Sequence, residues 1–273
     1  MSLGKAIRLH RVFNHPSGRL LSVAVDHFVG YPQTMTEGLR NLPGTLAEVV
    51  AAKPDAVTMF SGAASNCWHP YAGEVALIVQ LGCSTADDRV AEILGSVKGA
   101  GRLGADAVAM GINVRGNREG YYLRALSNTV EEAEPLGLPV IAHIYPRVFD
   151  GAPLIAADAE NIAWAVRCGI ECGADVIKVA YPGDPLAFRQ IIDCSPVPIV
   201  AAGGPRTTTF EEALLQADAA ISAGASGVTV GRNVWSRDRN TAAAIAAYKL
   251  VVHDRVHPHE AIESVGSLGR VSD

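Results

Sequence analysis

A lysine inside an apolar segment is the residue of this sequence with the clearest potential for chemistry. Lys178 interrupts the run 176–180, whose other members are apolar and mostly β-branched. Such a run is typical of a strand buried on both faces in a parallel sheet. A buried ammonium group is costly unless it is paired or loses its proton. Two interpretations therefore stay open: Lys178 pairs with a carboxylate such as Asp26, or it is a desolvated amine that forms a Schiff base with a carbonyl substrate.

The elements around this lysine predict a barrel. Short apolar segments alternate with helical segments, and most helix-to-strand turns contain Gly or Pro. The predicted strands cover 20–25, 56–59, 76–80, 107–112, 138–145, 176–180, 197–202 and 227–232. Strict alternation favours a parallel sheet with right-handed crossovers, and eight such units predict an α/β fold of the TIM (β/α)8 type. The alternative, a doubly wound open sheet, requires a glycine-rich loop after the first strand, where the sequence has Asp26-His27-Phe28.

The remaining segments complete one predicted domain over residues 1–273. A short amphipathic helix over 3–12 precedes a barrel core of about 20–252, and a polar tail over about 253–273 follows it. Further helices are predicted over 46–52, 68–73, 88–103, 119–136, 156–172, 185–193, 210–223 and 241–252.

Composition excludes several classes of protein. The 273 residues carry a net charge of −5 and no basic block, which argues against nucleic-acid binding. No stretch is long and apolar enough to span a membrane, and the N-terminus lacks the apolar core of a secretion signal. The five cysteines form no CxxC pair, which is typical of free thiols in a reducing cytoplasm. The histidines at 27, 69 and 143 are too scattered to predict a metal site.

In a TIM barrel, chemistry is carried out at the C-terminal ends of the strands. Asp26 and Tyr145 end the first and fifth predicted strands and are candidates for proton transfer, although either could instead be structural, Asp26 as a cap and Tyr145 at the rim. His143 lies two positions before Tyr145 and faces the same side, one layer deeper, either as a core histidine or as part of a proton relay. His27 and Arg147 are secondary candidates.

A phosphate site is predicted at the ends of the last two strands. Gly203 and Gly204 follow the seventh strand, and Gly231 and Arg232 end the eighth. In these barrels the loops after strands seven and eight commonly bind phosphate, glycine lets the backbone approach an anion, and an arginine can clamp it. The alternative is that the glycines only form turns and that Arg232 is a solvated surface residue.

Five motifs together resemble the archaeal-type class I fructose-bisphosphate aldolase superfamily, which includes aminodideoxyheptulosonate synthases and autoinducer-2 phosphate thiolases. The motifs are Val25-Asp26-His27, Tyr145-Pro146-Arg147, Ile177-Lys178-Val179 with Tyr181-Pro182-Gly183-Asp184, Gly203-Gly204-Pro205 and Gly231-Arg232-Asn233. The resemblance runs in order over roughly residues 20 to 250. It implies that Lys178 forms the Schiff base, that Tyr145 and Asp26 exchange protons, and that Gly203, Gly204, Gly231 and Arg232 hold the substrate phosphate.

The sequence departs from the family pattern at three positions. Phe28 and Val148 stand where the family usually has glycine, and both are expected to crowd the mouth of the barrel. His143 stands where fructose-bisphosphate aldolases often have an aromatic residue. The lysine chemistry is retained, whereas the identity of the ketose is left open.

The predicted function is cleavage or formation of a C–C bond in a phosphorylated ketose by a cytoplasmic class I aldolase that needs no cofactor or metal. Its expected partners are a phosphorylated ketose, an aldehyde and further copies of the chain. Transaldolase- or thiolase-type transfer by the same lysine is one alternative. A non-catalytic barrel that binds sugar phosphates is another. A phosphosugar isomerase or epimerase is a third, but it would not need a lysine inside the sixth strand.

Overall fold

Parallel strands close into a barrel in the computed structural model, which describes residues 1–27, 37–235 and 240–266. The strands are β1 Leu20–Ala24, β2 Ala56–Phe60, β3 Ala76–Ser84, β4 Ala91–Ile93, β5 Ala107–Val114, β6 Val140–Asp150, β7 Ala152–Ile155, β8 Val176–Ala180, β9 Ile199–Ala202 and β10 Gly227–Val230. Around the barrel the order is β1, β2, β3, β5, β6, β8, β9 and β10, and β10 pairs with β1 to close it. The predicted TIM barrel is confirmed, and the eight predicted strands are the eight strands that form it.

Helices surround the barrel. They are α1 Leu3–Val12, α2 Leu42–Ala51, α3 Ser61–Cys67, α4 Val97–Arg102, α5 Glu119–Ala133, α6 Ala159–Glu171, α7 Pro185–Asp193, α8 Phe210–Ser222, α9 Arg232–Trp235, α10 Thr241–Val252 and α11 Pro258–Gly266. Local sequence explains where several begin, because Asp158, Asp184 and Thr209 accept hydrogen bonds from first-turn N–H groups of α6, α7 and α8. Within the described ranges, no helix is long and apolar enough to cross a membrane.

Two apolar layers hold the fold together. The larger lies between the barrel and the helices. The smaller fills the N-terminal half of the barrel lumen with alternate residues of the strands, among them Leu20, Ile78, Ile141, Val176 and Val200. Val12, at the end of α1, is fully buried in this inner cluster, and Leu9 and Phe13 pack against it. The N-terminal helix therefore closes the bottom of the barrel, and only the opposite mouth is left for chemistry.

The predicted helix over 88–103 is wrong in its first half. Residues 91–93 form the strand β4, which pairs antiparallel with β3, and α4 begins only at Val97. Ser96 provides the start signal, because its hydroxyl accepts a hydrogen bond from the N–H of Gly99.

Other differences lie at the edges of the barrel. β6 continues past the barrel and forms a hairpin with β7, turning at Gly151, whose φ of 69° is left-handed. Residues 61–67, to which the sequence analysis assigned no strand or helix, form the helix α3. The segment assigned to a polar tail contains α11, whose Ala261 and Val265 are buried.

Candidate active site

Lys178 lies near the C-terminal end of β8 and faces the lumen. It pairs in register with His143 on β6 and Val200 on β9, and only 6% of its surface is exposed. Burial lowers the pKa of its ammonium group, the carboxylate of Asp26 opposes that shift, and the cation of Arg232 reinforces it, so that the pKa is lower than that of an ordinary lysine. Lys178 forms no ion pair within the described ranges, in contrast to the salt-bridged core lysine that the first interpretation required.

Asp26 follows β1 and is almost buried beside His27. The Nδ1 atom of His27 lies 3.2 Å from Oδ1 of Asp26. Burial raises the pKa of Asp26, but the hydrogen bond and charge of His27, together with the charges of Lys178 and His143, outweigh it and bring the pKa to about 2. Asp26 is therefore a carboxylate at neutral pH and has no proton to donate there.

His143 and Tyr145 project from β6 on the same side, as their spacing predicts. His143 pairs in register with Lys178 on the adjacent strand, and only 3% of its surface is exposed. Burial lowers its pKa well below the usual value, and the neighbouring charge of Lys178 lowers it further, so His143 is neutral at pH 7. Tyr145 is half-buried and lies one layer nearer the mouth, where it pairs in register with Asn113 of β5.

The predicted phosphate residues meet at the ends of β9 and β10. The N–H of Gly203 donates to the carbonyl of Thr229 at 2.7 Å, so that this donor is already used within the barrel. Gly204 is left-handed with φ of 65°, and nothing lies within 4 Å of a Cβ placed on it. A Cβ on Gly231 would lie 2.7 Å from Cε1 of His27, so this position tolerates only glycine. Arg232 is the first residue of α9, close enough to Lys178 to affect its pKa.

Asn233 holds these two strand ends together, and the sequence analysis gave it no role of its own. Its Nδ2 donates to the carbonyls of Gly203 at 3.1 Å and Pro205 at 3.0 Å. Its Oδ1 accepts from the N–H of Thr207 at 3.0 Å and from its hydroxyl at 3.1 Å. The side chain is 1% exposed. The only sequence signal for it was its place in the Gly231-Arg232-Asn233 motif.

Arg147, a secondary candidate, is committed to the loop between β3 and β4. Its Nη1 lies 2.7 Å from Oδ2 of Asp88 and donates to the carbonyl of Ala86 at 3.1 Å. Tyr122 donates to the same carboxylate at 2.6 Å. These bonds make Arg147 a support for the rim of the site.

Gln80 is a lumen residue that sequence reasoning missed. It occupies an inward-facing position of β3, 4% exposed, and its Nε2 donates to the carbonyl of Gly82 at 2.6 Å. Alternation along β3 offered a signal, because Ala76, Ile78 and Gln80 share one face and only Gln80 is polar.

At two positions this sequence has a bulky residue where the family usually has glycine, and the two expectations have different outcomes. Val148 is 38% exposed and lies on the opposite side of β6 from Tyr145, in the hairpin with β7, so the expectation that it narrows the mouth is wrong. Phe28 lies outside the described residues. Within those ranges, no three His, Cys, Asp or Glu side chains are grouped as metal ligands would be.

The chain is similar over most of its length to proteins of known family. Residues 20–237 match the family described as DeoC/LacD family aldolase. The chain is 37% identical over 266 residues to a 2-amino-3,7-dideoxy-D-threo-hept-6-ulosonate synthase of Halobacterium salinarum, covering 96% of this chain and 97% of the relative. It is 31% identical to a 2-amino-4,5-dihydroxy-6-oxo-7-(phosphonooxy)heptanoate synthase of Streptomyces griseus, covering 85% and 84%.

A solved structure provides the chemical comparison. It is an archaeal fructose-1,6-bisphosphate aldolase whose catalytic lysine is covalently bound to the carbinolamine intermediate of the substrate. The two chains are 29% identical, with a TM-score of 0.80, over 91% of this chain and 99% of that one.

Proposed function

The chain belongs to the DeoC/LacD family of aldolases, and on that premise we propose that it is a class I enzyme whose Lys178 forms a Schiff base with a phosphorylated ketose. One observation carries the proposal: Lys178 is buried in the lumen, forms no ion pair in the described structure, and has a lowered pKa. A buried lysine of this kind supplies the neutral amine that adds to a carbonyl. The covalent lysine adduct of the similar archaeal aldolase supports the same role.

The arrangement of the strand ends supports the roles that we propose for the remaining residues. The phosphate would lie at the ends of β9 and β10, against Gly204, Gly231 and Arg232, while Gly203 shapes the turn. The ketose carbonyl would then face Lys178 on the adjacent strand β8. Nζ adds to the carbonyl carbon, the carbonyl oxygen leaves as water after protonation, and the resulting iminium withdraws electrons as the C3–C4 bond breaks.

Asp26 and Tyr145 take different parts in the proton transfers. With a pKa of about 2, Asp26 is ionised and stabilises the iminium cation or accepts a proton. Tyr145, one layer nearer the mouth, is placed to exchange protons with the hydroxyl and carbonyl oxygens of the substrate. This division follows from the charge of each group and assigns the acid step to the tyrosine.

A transfer reaction is the second candidate. The relatives from Halobacterium and Streptomyces are both named as synthases, and one matches nearly the whole chain. In such a reaction the lysine-bound fragment would pass to an acceptor aldehyde other than the one released. Product analysis with and without added aldehydes separates the two, because an enzyme of pure transfer releases little product until an acceptor is present.

The test is reduction with borohydride in the presence of dihydroxyacetone phosphate, followed by peptide mass spectrometry. We expect the reduced adduct on the peptide that contains Lys178 and none in Lys178→Met. Lys5 is the internal control, because it is equally buried at 5% exposure but ion-paired to Glu134 at 2.5 Å and Asp175 at 3.1 Å. An adduct on Lys5 or on surface lysines at the same level, or none with any ketose phosphate, would contradict the proposal.

A further inference from the structure

One buried oxygen in the barrel lumen has no partner among the residues that the structure describes. Most polar groups of this layer are satisfied: Ser22 and Thr58 bond each other at 3.2 Å, and Nε2 of Gln80 donates to the carbonyl of Gly82. Oε1 of Gln80 is buried and accepts no hydrogen bond from any residue in the described ranges. Buried polar atoms without partners are rare in folded proteins, and one in the lumen near a reactive lysine points to a use.

The hydrogen bond to Gly82 determines which atom of the Gln80 amide is the nitrogen and which is the oxygen. The carbonyl of Gly82 can only accept, so the amide atom 2.6 Å from it must be the nitrogen. The other amide atom is therefore the oxygen, and what it lacks is a donor.

A candidate donor for this oxygen is the ring of His143, which forms no hydrogen bond with the described residues. The Gln80 amide lies over Gly111, with Nε2 2.9 Å from the position a Cβ would take there. Gly111 pairs in register with His143 on the next strand. Because Gly111 has no side chain, the strand between Gln80 and His143 contributes no side-chain atoms at this position that would separate the amide from the imidazole.

Gln80 and His143 also lie at the same height in the barrel. Gln80 pairs with Ala109, and Ala109 with Ile141. The stagger of an eight-stranded barrel adds about one residue per strand, which raises the level from Ile141 to His143. The two side chains belong to one layer, as side chains on alternate staves do. His143 itself forms no hydrogen bond with the described residues, and its neutral ring carries one N–H and one lone pair.

We propose that Gln80 is a positioning residue whose Oε1 accepts a hydrogen bond from the N–H of His143, leaving the other ring nitrogen as an acceptor directed at Lys178. The bond forms by rotation of the imidazole about its own side-chain torsions. This inference rests on the proposed function for its consequence, since it makes His143 the base of the first step. As the Nζ–C bond forms, the carbonyl π bond breaks, its electron pair moves to oxygen, and the Nζ proton passes to His143.

Two substitutions at one position separate the acceptor from the rest of the side chain. Gln80→Met and Gln80→Glu both lose the bond to Gly82, but only Gln80→Met loses the acceptor oxygen. Thr58→Val is the control for an unpaired oxygen elsewhere in the layer, because it leaves the hydroxyl of Ser22 without its partner. Thermal unfolding of each variant checks that the barrel is folded.

The direct measurement is nitrogen NMR of ring-labelled histidine, which reports tautomer and titration. His143 is assigned by the loss of its signals in His143→Asn. We expect a single neutral tautomer in the wild type, a mixture in Gln80→Met, and titration at higher pH in Gln80→Glu, whose carboxylate stabilises the imidazolium. An unchanged tautomer in Gln80→Met overturns the inference.

The kinetic measurement is the rate of borohydride-trapped adduct formation at about pH 8.5, where an ordinary histidine is neutral. We expect Gln80→Met to be slower than wild type by about tenfold or more, a part of the roughly 10²–10⁴-fold that a well-placed general base contributes, and Gln80→Glu and Thr58→Val to stay within about threefold. Equal slowing in the two Gln80 variants would assign the effect to the Gly82 bond and overturn the inference. If no protein is labelled, the wild type included, the proposed function fails, and the NMR result still decides the role of Gln80.

Discussion

Replacing Asp26 with asparagine tests how strongly the Asp26 carboxylate interacts with the positive groups around it in the lumen. Burial raises the pKa of this carboxyl, but the hydrogen bond from His27 and the neighbouring positive charges outweigh it and bring the pKa from 3.8 to about 2. A pKa difference of this size corresponds to about 2 kcal/mol of stability at neutral pH. The asparagine side chain has nearly the same shape as aspartate but no charge. Asp26→Asn should therefore lower the free energy of unfolding by about 2 kcal/mol at pH 7.

The direction of the pKa shift also determines how the stability difference between wild type and Asp26→Asn changes with pH. A lowered carboxyl pKa stabilises the fold above the unfolded value of 3.8, and the stabilisation is lost as the pH falls toward 2. The difference between wild type and Asp26→Asn should therefore shrink by about half between pH 7 and about pH 3. Urea unfolding followed by circular dichroism at several pH values measures it. A variant as stable as wild type at pH 7, or a difference independent of pH, would refute the reasoning.

Asp87 provides the matched control for Asp26. Its pKa is also lowered to about 2, by hydrogen bonds from Thr85 and Arg89, but it lies at the surface. Solvent and salt screen such contacts, so Asp87→Asn should cost much less stability than Asp26→Asn. It should also leave adduct formation unchanged, whereas Asp26→Asn should slow it because the iminium loses its nearby anion.

Three further outcomes follow from the site. Because the pKa of Lys178 is lowered, the rate of borohydride trapping should rise with pH and level off at a lower pH than for an ordinary lysine. A rate that still rises up to the ordinary lysine pKa of about 10.4 would contradict the argument from burial. Gly231→Ala should abolish adduct formation or folding, because its Cβ would lie 2.7 Å from the His27 ring and 2.9 Å from the carbonyl of Ala24. Gly62→Ala is the control: no atom lies within 4 Å of a Cβ at that position, so thermal unfolding and borohydride trapping should both be unchanged. Asn233→Ala removes the hydrogen bonds that hold residues 203–207, so it should raise the KM for a ketose phosphate by about tenfold with a smaller change in kcat. An unchanged KM would mean that this loop does not bind the phosphate.

The barrel was predictable because its signals are local and repeated. Short β-branched runs and the turns before them located all eight staves, and α7 and α10 begin and end where the sequence predicts. The errors lie where tertiary pairing decides the structure. Residues 91–93 form a strand only because the edge of β3 is available to them, and β7 exists only as the partner of the extended β6. Neither pairing is visible in a local pattern.

The sequence indicated the residues of the candidate site but not their ionisation states or their partners. The apolar run around Lys178 indicated the lysine, strand-end position indicated Tyr145 and Asp26, and the family resemblance joined the three. Sequence could not show that Asp26 is held ionised by His27, or that Arg147 is bound to Asp88 at the rim, because both depend on contacts between separate strand ends and loops. Gln80 was missed because a single glutamine in an apolar strand gives no motif.

The closed bottom of the barrel affects the order in which molecules come and go. Since α1 and the inner apolar cluster fill the lumen below Lys178, every ligand enters and leaves through one opening. A molecule bound at the lysine lies at the inner end of this blind channel, and a second molecule stands between it and solvent. If the proposed function holds, the molecule that enters last must leave first: the ketone bound to Lys178 would load before its partner and depart after it.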